Sequence, residues 1–274
     1  MPEGPEITVT AQYLSANMRG KMMSDMVILS GRYQKKKPEG LTKFKKALPL
    51  KVIGVSSRGK FMWISLDGGY DLWFTFGLTG MWNREKNKHS RIKLVVDDED
   101  YYFSDTLSYG TIKISQDKNA LLAKIQSLTP DFLQDSFDLR SISRYDEPVI
   151  KLLMNQTKIG SGLGNYLTAE ILYRAKISPH RLGSKLSPKQ ISDLEYWIKY
   201  VTKIAYLNKD LGYMDKIDPE ITDIKRRNYH PEIKPTTSFE FFVYKRKTDP
   251  KGNKVKAEQI LPGRTTYWVP AVQK

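Results

Sequence analysis

The first six residues, Met-Pro-Glu-Gly-Pro-Glu, combine two carboxylates with a possible secondary amine. If the initiator methionine is removed, Pro2 becomes the N-terminus, and an α-amino group titrates near pH 8, roughly two units below a lysine. A useful fraction is then unprotonated at neutral pH and can attack carbon. Its adduct with an aldehyde carbon is an iminium that has no nitrogen proton to lose and remains an electron sink. Glu3 and Glu6 would supply nearby carboxylates. The alternative is that this segment is only a stiff, polar start to a helix.

The charge of the chain favours a polyanionic partner. Its 274 residues suffice for one large or two ordinary domains and carry a formal net charge of +15. With a pI near 9.6, nucleic acid is the leading candidate. A ribosomal or membrane-surface protein would share this charge. The 40% hydrophobic content and the short charge runs nevertheless indicate a folded protein.

Cysteine is absent, which excludes disulfides, thiolate catalysis and cysteine-ligated zinc. The histidines His89, His180 and His230 lack metal-ligand spacing. We therefore expect no metal, and the amine chemistry of Pro2 needs no organic cofactor. No signal peptide and no apolar run long enough to span a bilayer are found. The sequence predicts a soluble, intracellular protein of a reducing compartment, which is the nucleus, the cytoplasm or a virus-infected host cell.

The first half of the chain reads as one helix followed by strands. A helix is predicted over 7–18, and strands are predicted at 26–30, 50–57, 60–66, 70–76, 91–96, 101–104 and 111–115. Arg58-Gly59 indicates a tight turn. The acidic run Asp97–Asp100 indicates a solvated hairpin tip, although four acidic residues could also bind a cation.

Helical periodicity begins at Lys118, and Pro130-Asp131 interrupts it at a predicted linker between domains. Helices are predicted over 148–158 and 165–176. Ser187 and Gln190 form a capping box around Pro188, which predicts a third helix reaching about residue 208. Strands are predicted at 239–246, 255–261 and 265–269. The core side of the third helix is predicted to contain Trp197, Ile198, Val201 and Ile204.

The turn Gly160-Ser161-Gly162-Leu163-Gly164-Asn165 superficially matches a dinucleotide-binding fingerprint. That fingerprint requires a preceding strand, whereas a helix is predicted here, so we reject a nucleotide cofactor. Glycines and a helix N-terminus still suit an anion, because they offer free N–H groups at close approach. A helix, a glycine turn and a second helix can therefore sit on a DNA backbone, with Asn165 beside the turn.

At this point the chain resembles the Fpg/Nei family of DNA glycosylases, and it is nearer to the Nei (endonuclease VIII-like) branch. The resemblance rests on the order and positions of several short motifs along the whole chain. The matching segments are Met1–Glu6, Ser57-Arg58-Gly59-Lys60, Gly162-Leu163-Gly164-Asn165-Tyr166-Leu167, Glu170-Ile171-Leu172 and Gly263-Arg264-Thr265-Thr266-Tyr267-Trp268.

The resemblance implies an α+β fold with three parts and DNA in the cleft between domains. A two-layer β-sandwich catalytic domain is expected over 1–130 and a helix–two-turn–helix (H2TH) domain over 131–236. A β-hairpin finger is expected over 237–274. The segment between Tyr206 and Pro235 is expected to meet the displaced base.

The resemblance also assigns roles to particular residues. Pro2 would be the nucleophile, Glu3 the principal general acid and Glu6 a further active-site carboxylate. Lys60, Asn165 and Arg264 would hold the phosphates beside the lesion, together with Gly164, and Lys60 and Arg264 would also serve catalysis. From the residues alone, Lys60 and Arg264 would be read as solvated hairpin charges.

One departure from the family concerns zinc. Most relatives end in a four-cysteine zinc finger, whereas this chain has Val269 and Val272 at the last cysteine pair. The segment is similar to the zincless finger of some eukaryotic and viral Nei-like enzymes. We expect Val269 and Phe242 to replace the metal by apolar packing.

Three residues are candidates for filling the space that a displaced base leaves. Leu78 aligns with the inserted residue of relatives, and Ser108 and Tyr109 lie on the loop that supplies the other members. Buried positions in the β-domain core are the alternative for Leu78 and Tyr109. Relatives with stronger activity on 8-oxoguanine carry arginine near Ser108, which favours oxidised pyrimidines and ring-opened purines here.

These resemblances imply a bifunctional DNA glycosylase and AP lyase of base excision repair, acting through a Pro2 Schiff base and β,δ-elimination. Its substrates would be oxidised pyrimidines, formamidopyrimidines and, as a further class, hydantoins. Its partner would be double- or single-stranded DNA with oxidised bases or abasic sites, and a monomer is expected. The alternatives are a catalytically silent relative that binds damaged or bent DNA, and a generic basic nucleic-acid-binding protein.

Overall fold

A computed structural model describes residues 2–207, 224–225 and 239–274. Their contacts divide the chain into two compact units. The first contains residue 2 together with residues 6–127 and 224–225, and the second contains residues 3–5, 128–207 and 239–274. The expected α+β class is confirmed. Most of the segment expected to meet the displaced base lies outside the described residues, as does the expected boundary at 236.

The first unit is built on an antiparallel sheet in the order β5-β7-β6-β1-β2-β3-β4-β8. Short helices α2 (Arg32–Lys35), α3 (Leu41–Ala47) and α4 (Lys118–Gln126) accompany it. The strands are β1 (Met22–Ile28), β2 (Leu50–Arg58), β3 (Phe61–Leu66), β4 (Asp71–Thr75), β5 (Gly80–Asn83), β6 (Ser90–Val96), β7 (Glu99–Asp105) and β8 (Thr111–Ser115).

The sheet folds into a β-sandwich because its two halves join at a narrow corner. The register of β1 with β2 covers two pairs, Met22 with Lys51 and Met23 with Leu50. In β2 and β6, buried residues alternate with more exposed ones over most of the strand, as in a half-solvated antiparallel sheet. The buried faces meet through aromatic rings: Phe74 of β4 lies 5.1 Å from Trp82 of β5 and 5.8 Å from Phe103 of β7, measured between ring centroids.

Helix α1 (Gly4–Met18) lies along β2 of this unit and begins before the predicted residue 7. The backbone N–H of Val55 donates to the Ser15 hydroxyl at 3.5 Å, and the hydroxyls of Ser57 and Thr8 are also 3.5 Å apart. The second contact places Thr8 of α1 beside Ser57, near the end of β2.

The second unit contains α5 (Val149–Met154), α6 (Asn165–Arg174) and α7 (Pro188–Leu207), followed by a hairpin of β9 (Lys256–Leu261) and β10 (Arg264–Trp268). The capping box is confirmed. The N–H of Ser187 donates to Gln190 Oε1 at 3.0 Å, and the N–H of Gln190 donates to Ser187 Oγ at 3.3 Å. Among the described helices, none has the length and apolar character needed to cross a membrane.

The core prediction for α7 holds with one exception. Ile198, Val201 and Ile204 are buried, but Trp197 is only half-buried. Its ring instead contacts Tyr196 and Tyr200 on the same helix, with centroids 5.2 and 5.5 Å away. A helix surface can hold such a cluster because residues three and four positions apart are neighbours.

The strand predicted at 239–246 is wrong. The backbone N–H groups of Phe242, Val243 and Tyr244 donate to the carboxylate of Glu170 at 2.9–3.1 Å, so a side chain replaces the neighbouring strand that they would otherwise need. Strand β5 was not predicted, because four residues are too few to show alternation. Strand β1 begins at Met22, four residues before the predicted start.

The acidic run is the hairpin tip that was predicted. Asp97 and Asp98 join β6 to β7 with φ angles of 44° and 63°, a left-handed pair typical of two-residue hairpins. Glu99 pairs with Arg84 at 3.0 Å, and Asp100 pairs with Lys93 at 3.1 Å. Across the described ranges, no group of three or more residues suited to metal binding is found.

Candidate functional site

Glu3 forms the buried centre of the N-terminal segment. Its side chain is fully buried, and its carboxylate accepts N–H bonds from Gly164 at 2.7 Å, Tyr166 at 2.9 Å and Leu167 at 3.2 Å. These groups belong to the first turn of α6, where N–H groups have no partner within the helix. Three donors and the positive end of the helix dipole favour the ionised carboxylate.

This contact gives three N–H groups of the glycine-rich turn and α6 a partner within the chain. The N–H groups of Gly164, Tyr166 and Leu167 are not free for a phosphate, because Glu3 already accepts from them. Glycine is required at 164 for a different reason: a Cβ there would overlap the Glu3 carboxylate. The adjoining N–H of Gly4 donates to the carbonyl of Gly162 at 2.8 Å and anchors the segment.

Pro2, Glu6 and Lys60 belong to the first unit. Pro2 is buried just before α1, and Glu6 is buried in its first turn. Lys60 is half-buried on the two-residue turn between β2 and β3, where Gly59 has a φ of 57°. Since the hydroxyls of Thr8 and Ser57 meet, the start of α1 and this turn occupy the same part of the unit.

Asn165 and Arg264 come together in the second unit. Asn165 is the first residue of α6, and its side-chain amide donates to the carbonyl of Thr265 at 2.8 Å. Arg264 is exposed at the start of β10, after a turn in which Gly263 has a φ of 68°. The amide therefore holds the strand directly beside the arginine.

Tyr244 is a site residue that sequence reasoning missed. Burial, and then the negative charge of Glu3, raise the pKa of its hydroxyl above the usual value. Its ring contacts Tyr166 of α6 and Tyr267 of β10, with centroids 6.1 and 5.3 Å away. Nothing in the local pattern around Tyr244 points to Glu3, because the two residues are far apart in the chain.

The finger segment, residues 239–274, encloses a small apolar core. Val243, Val255 and Val269 are buried there against Ala169 and Tyr173 of α6, and the partly buried residues packed around them are Phe242, Tyr244, Tyr267 and Val272. Beside this core, Glu170 is fully buried and pairs with Arg174 at 2.6 Å. The described part of the finger is thus held by apolar packing and a buried carboxylate.

Leu78 and Tyr109 are exposed, with 40% and 60% of their surface accessible, so the alternative of core positions is wrong. Leu107, which sequence reasoning missed, is 46% exposed on the same loop as Tyr109. Ser108 between them is half-buried with a φ of 56°. Its hydroxyl faces Gly31, where an added Cβ would lie 3.3 Å away.

Comparison with known proteins assigns all three parts of the chain to one family. The N-terminal domain model of formamidopyrimidine-DNA glycosylase matches residues 1–112, the H2TH domain model matches 126–212, and the C-terminal domain model matches 231–274. The chain belongs to the formamidopyrimidine-DNA glycosylase family. This is an enzyme family of DNA N-glycosylases with AP lyase activity.

Several formamidopyrimidine-DNA glycosylases are similar over most of the chain. The protein of Pelotomaculum thermopropionicum is 27% identical over 289 residues, covering 100% of this chain and 99% of its own. That of Pelobacter propionicus is 29% identical, covering 84% of this chain and 86% of its own.

Solved structures of the family share the fold. The Thermus thermophilus enzyme superposes with a TM-score of 0.78 at 22% identity, covering 99% of this chain and 98% of its own. The Lactococcus lactis enzyme, bound noncovalently to DNA with an AP site, gives 0.79 at 20% identity and covers 99% of both chains. Strands β1–β7 fall within the N-terminal domain match, which ends inside β8, and helices α5–α7 fall within the H2TH match.

Proposed function

We propose that this formamidopyrimidine-DNA glycosylase relative is bifunctional. It removes oxidised bases through a Pro2 Schiff base and then nicks the strand by β,δ-elimination. The observation that carries the proposal is the buried Glu3 carboxylate at the start of α6, one peptide bond from the Pro2 amine. An acid–base group beside an amine nucleophile is the pair that such chemistry requires.

The three N–H bonds to the Glu3 carboxylate suit a proton relay, because they stabilise its charge between proton transfers. The carboxylate first accepts a proton from the Pro2 ammonium, which frees the amine to attack C1′ of the lesion nucleotide. The new N–C1′ bond displaces the base, which takes the remaining nitrogen proton. Glu3 then returns its proton to the ring oxygen, the C1′–O bond breaks, and the iminium forms. Positioned proton transfer of this kind contributes about 10²- to 10⁴-fold.

The iminium then drives strand cleavage. It acidifies the C2′ proton, so elimination breaks the C3′–oxygen bond, and a second elimination breaks the C5′–oxygen bond. The product is a one-nucleotide gap with phosphates at both ends. Glu6, buried in the first turn of α1, is the further carboxylate available for these proton transfers.

Phosphate contacts position the DNA in this proposal. Lys60 and Arg264 supply the cations, and Asn165 supplies an amide donor beside Arg264. The net charge of +15 supports a large sequence-independent contribution to binding, which falls steeply with added salt. We retain the division into 1–130, 131–236 and 237–274 as the proposed catalytic, H2TH and finger domains.

The void left by the flipped nucleotide is filled by exposed apolar side chains. Leu78 and Tyr109 are suited to this because each combines exposure with a large apolar or aromatic surface. The left-handed turn at Ser108 separates Tyr109 from Leu107 and keeps both side chains exposed.

We further propose that the chain belongs to the Nei-like branch and has a zincless finger. Zinc does not fit the residues present, because the chain has no cysteine and the finger core is built from valines and aromatic rings. Val269 and Phe242 take the place of the metal by packing in this core. Position 108 is serine, not the arginine of relatives that are more active on 8-oxoguanine. This supports a preference for oxidised pyrimidines, formamidopyrimidines and hydantoins as substrates. One bound zinc per chain in a metal analysis would overturn the zincless finger.

Borohydride trapping on a duplex with one abasic site tests the central proposal. Protein with a free Pro2 amine should form a covalent complex, and protein blocked by an uncleaved N-terminal tag should form none. Glu3→Gln with a free Pro2 should lose about 10²-fold or more in base excision, since it can neither accept nor return the proton. Tight, salt-dependent DNA binding without trapping by either form would favour the catalytically silent alternative.

A further inference from the structure

Asp105, at the end of β7, is a buried carboxylate that the proposed chemistry does not use. It is 1% exposed, and its two oxygens accept from different partners. Oδ1 accepts from the Thr79 hydroxyl and from the N–H of Leu107 at 3.2 Å, and Oδ2 accepts from the N–H of Gly110 at 2.7 Å. One side chain therefore holds both ends of the loop between β7 and β8 and also reaches the turn between β4 and β5.

A second contact ties the two segments together. The Thr79 hydroxyl, which donates to Asp105, also accepts the N–H of Leu107 at 3.0 Å. At Gly77, an added Cβ would lie 2.8 Å from the Gly110 nitrogen and 2.9 Å from Tyr109 Cβ, so the segments touch. We call residues 77–79 and 106–110 together the wedge loops.

The wedge loops display three large apolar side chains next to one another in the fold. Leu78, Leu107 and Tyr109 are 40%, 46% and 60% exposed. We propose that Asp105 is a positioning residue that holds these three side chains as one wedge, with Leu107 as its third member, for insertion where the lesion nucleotide leaves the stack. This inference rests on the proposed function.

The carboxylate is suited to this role because it accepts on both edges. An asparagine of the same shape must turn its NH₂ group either toward Gly110, whose N–H is a donor, or toward Leu107, whose N–H is also a donor. Asp105→Asn therefore loses one loop anchor in either orientation, and the loss affects backbone geometry and not the apolar surface itself.

Asp105→Asn is measured on two substrates. On duplex DNA with one oxidised pyrimidine, the single-turnover excision rate should fall about 10- to 100-fold, the range expected when base stacking by a side chain is lost. The fluorescence of a 2-aminopurine next to the lesion should rise less on binding, because unstacking is impaired. Borohydride trapping on a single-stranded abasic site, which has no stack to open, should stay within about twofold of the unmodified protein.

Asp71→Asn is the matched control. Asp71 is another buried carboxylate of this sheet, 5% exposed and bonded to the Ser65 hydroxyl at 2.6 Å, and its replacement should leave both rates unchanged. Thr79→Ser keeps the bridging hydroxyl and should retain the duplex rate, whereas Thr79→Val should lower it as Asp105→Asn does.

The outcomes separate this inference from the proposed function. An unchanged duplex rate in Asp105→Asn, or equal losses on duplex and single-stranded DNA, would overturn the positioning role. Failure of the unmodified protein to be trapped would instead contradict the proposed Schiff base. The 2-aminopurine fluorescence would still test the role of Asp105. A smaller rise for Asp105→Asn than for the unmodified protein supports the role, and an equal rise overturns it.

Discussion

The wedge loops and the finger segment both depend on a buried carboxylate that gathers backbone N–H groups, yet they present opposite surfaces. Asp105 accepts from two loop N–H groups and leaves Leu78, Leu107 and Tyr109 exposed. Glu170 accepts from three N–H groups while Val243, Val255 and Val269 are enclosed and Arg264 faces solvent.

The difference shows how a buried carboxylate can hold a loop in a chain that has no cysteine. At Glu170 the neighbouring Arg174 balances the charge at 2.6 Å, so the cluster can be sealed and the finger core packed around it. At Asp105 a hydroxyl and backbone donors complete the site, and the loops stay at the surface. A buried carboxylate thus supports an enclosed apolar core in one unit and, in the other, an exposed apolar surface that we propose inserts into DNA.

The largest effect should come from breaking the finger cluster with Glu170→Gln. The glutamine side chain cannot accept from all three N–H groups, and it leaves the Arg174 cation without a carboxylate partner. Removing one member of a buried pair costs about 3–5 kcal/mol, so the melting temperature should fall by about 10 °C. Thermal unfolding measures this.

Glu147→Gln is the control for that experiment. Glu147 pairs with Lys151 at 2.6 Å at the surface, where a salt bridge contributes little, and the melting temperature should change by no more than about 2 °C. If both substitutions lowered the melting temperature equally, the buried Glu170 pair would contribute no more to stability than a surface salt bridge, which would contradict the prediction.

Truncating the wedge should affect activity without affecting stability. Leu78→Ala, Leu107→Ala and Tyr109→Ala should each lower single-turnover excision from duplex DNA by about 10-fold, because each removes surface that replaces the lost base stacking. Melting temperatures should be unchanged, since all three side chains are exposed. Leu122→Ala, on a 55% exposed leucine of α4, is the matched control. An unchanged duplex rate for Leu107→Ala would remove that residue from the wedge.

The smallest expected effect is a pH-dependent change in melting temperature when Glu258 of the finger hairpin is replaced. Burial opposes ionisation of Glu258, but donors from Lys256, His180 and Trp268 outweigh it and lower its pKa from 4.5 to about 2. A pKa lowered by folding stabilises the protein above the unfolded value and loses that contribution as pH falls toward the folded one. Glu258→Gln should therefore melt a few degrees lower above about pH 5 and converge with the unmodified protein near pH 2. A difference that stayed constant across this range would contradict the assignment.

Local signals in the sequence were sufficient for much of the fold. Alternation predicted β8 at its observed bounds, and the Ser187–Gln190 box marked the start of α7 because both partners lie within one turn. The terminal motif and the residues around Lys60, Asn165 and Arg264 were also recognisable, since each is a short contiguous pattern.

Long-range side-chain contacts could not be predicted in the same way. Glu3 reaches donors 161 to 164 positions away, and Glu170 reaches donors 72 to 74 positions away. The residues 239–246 have the β-branched and aromatic character of a strand, but Glu170 supplies their hydrogen-bond acceptor. Glutamate at 170 shows no local sign of this role. The role of Asp105 could not be predicted either, because its partners are brought together only by the β4–β5 and β7–β8 connections.

Two of the five tryptophans can serve as spectroscopic reporters, one beside the wedge loops and one in the finger segment. Trp82 is 5.5 Å from the ring of Phe103, which in turn supports Gly80 and Gly110 at the base of the wedge loops. Trp268 donates to Glu258 at 2.6 Å within the finger. Fluorine NMR on protein grown with fluorotryptophan would therefore give a separate resonance for each region. A titration with lesion DNA could then time loop engagement and finger docking independently within one sample.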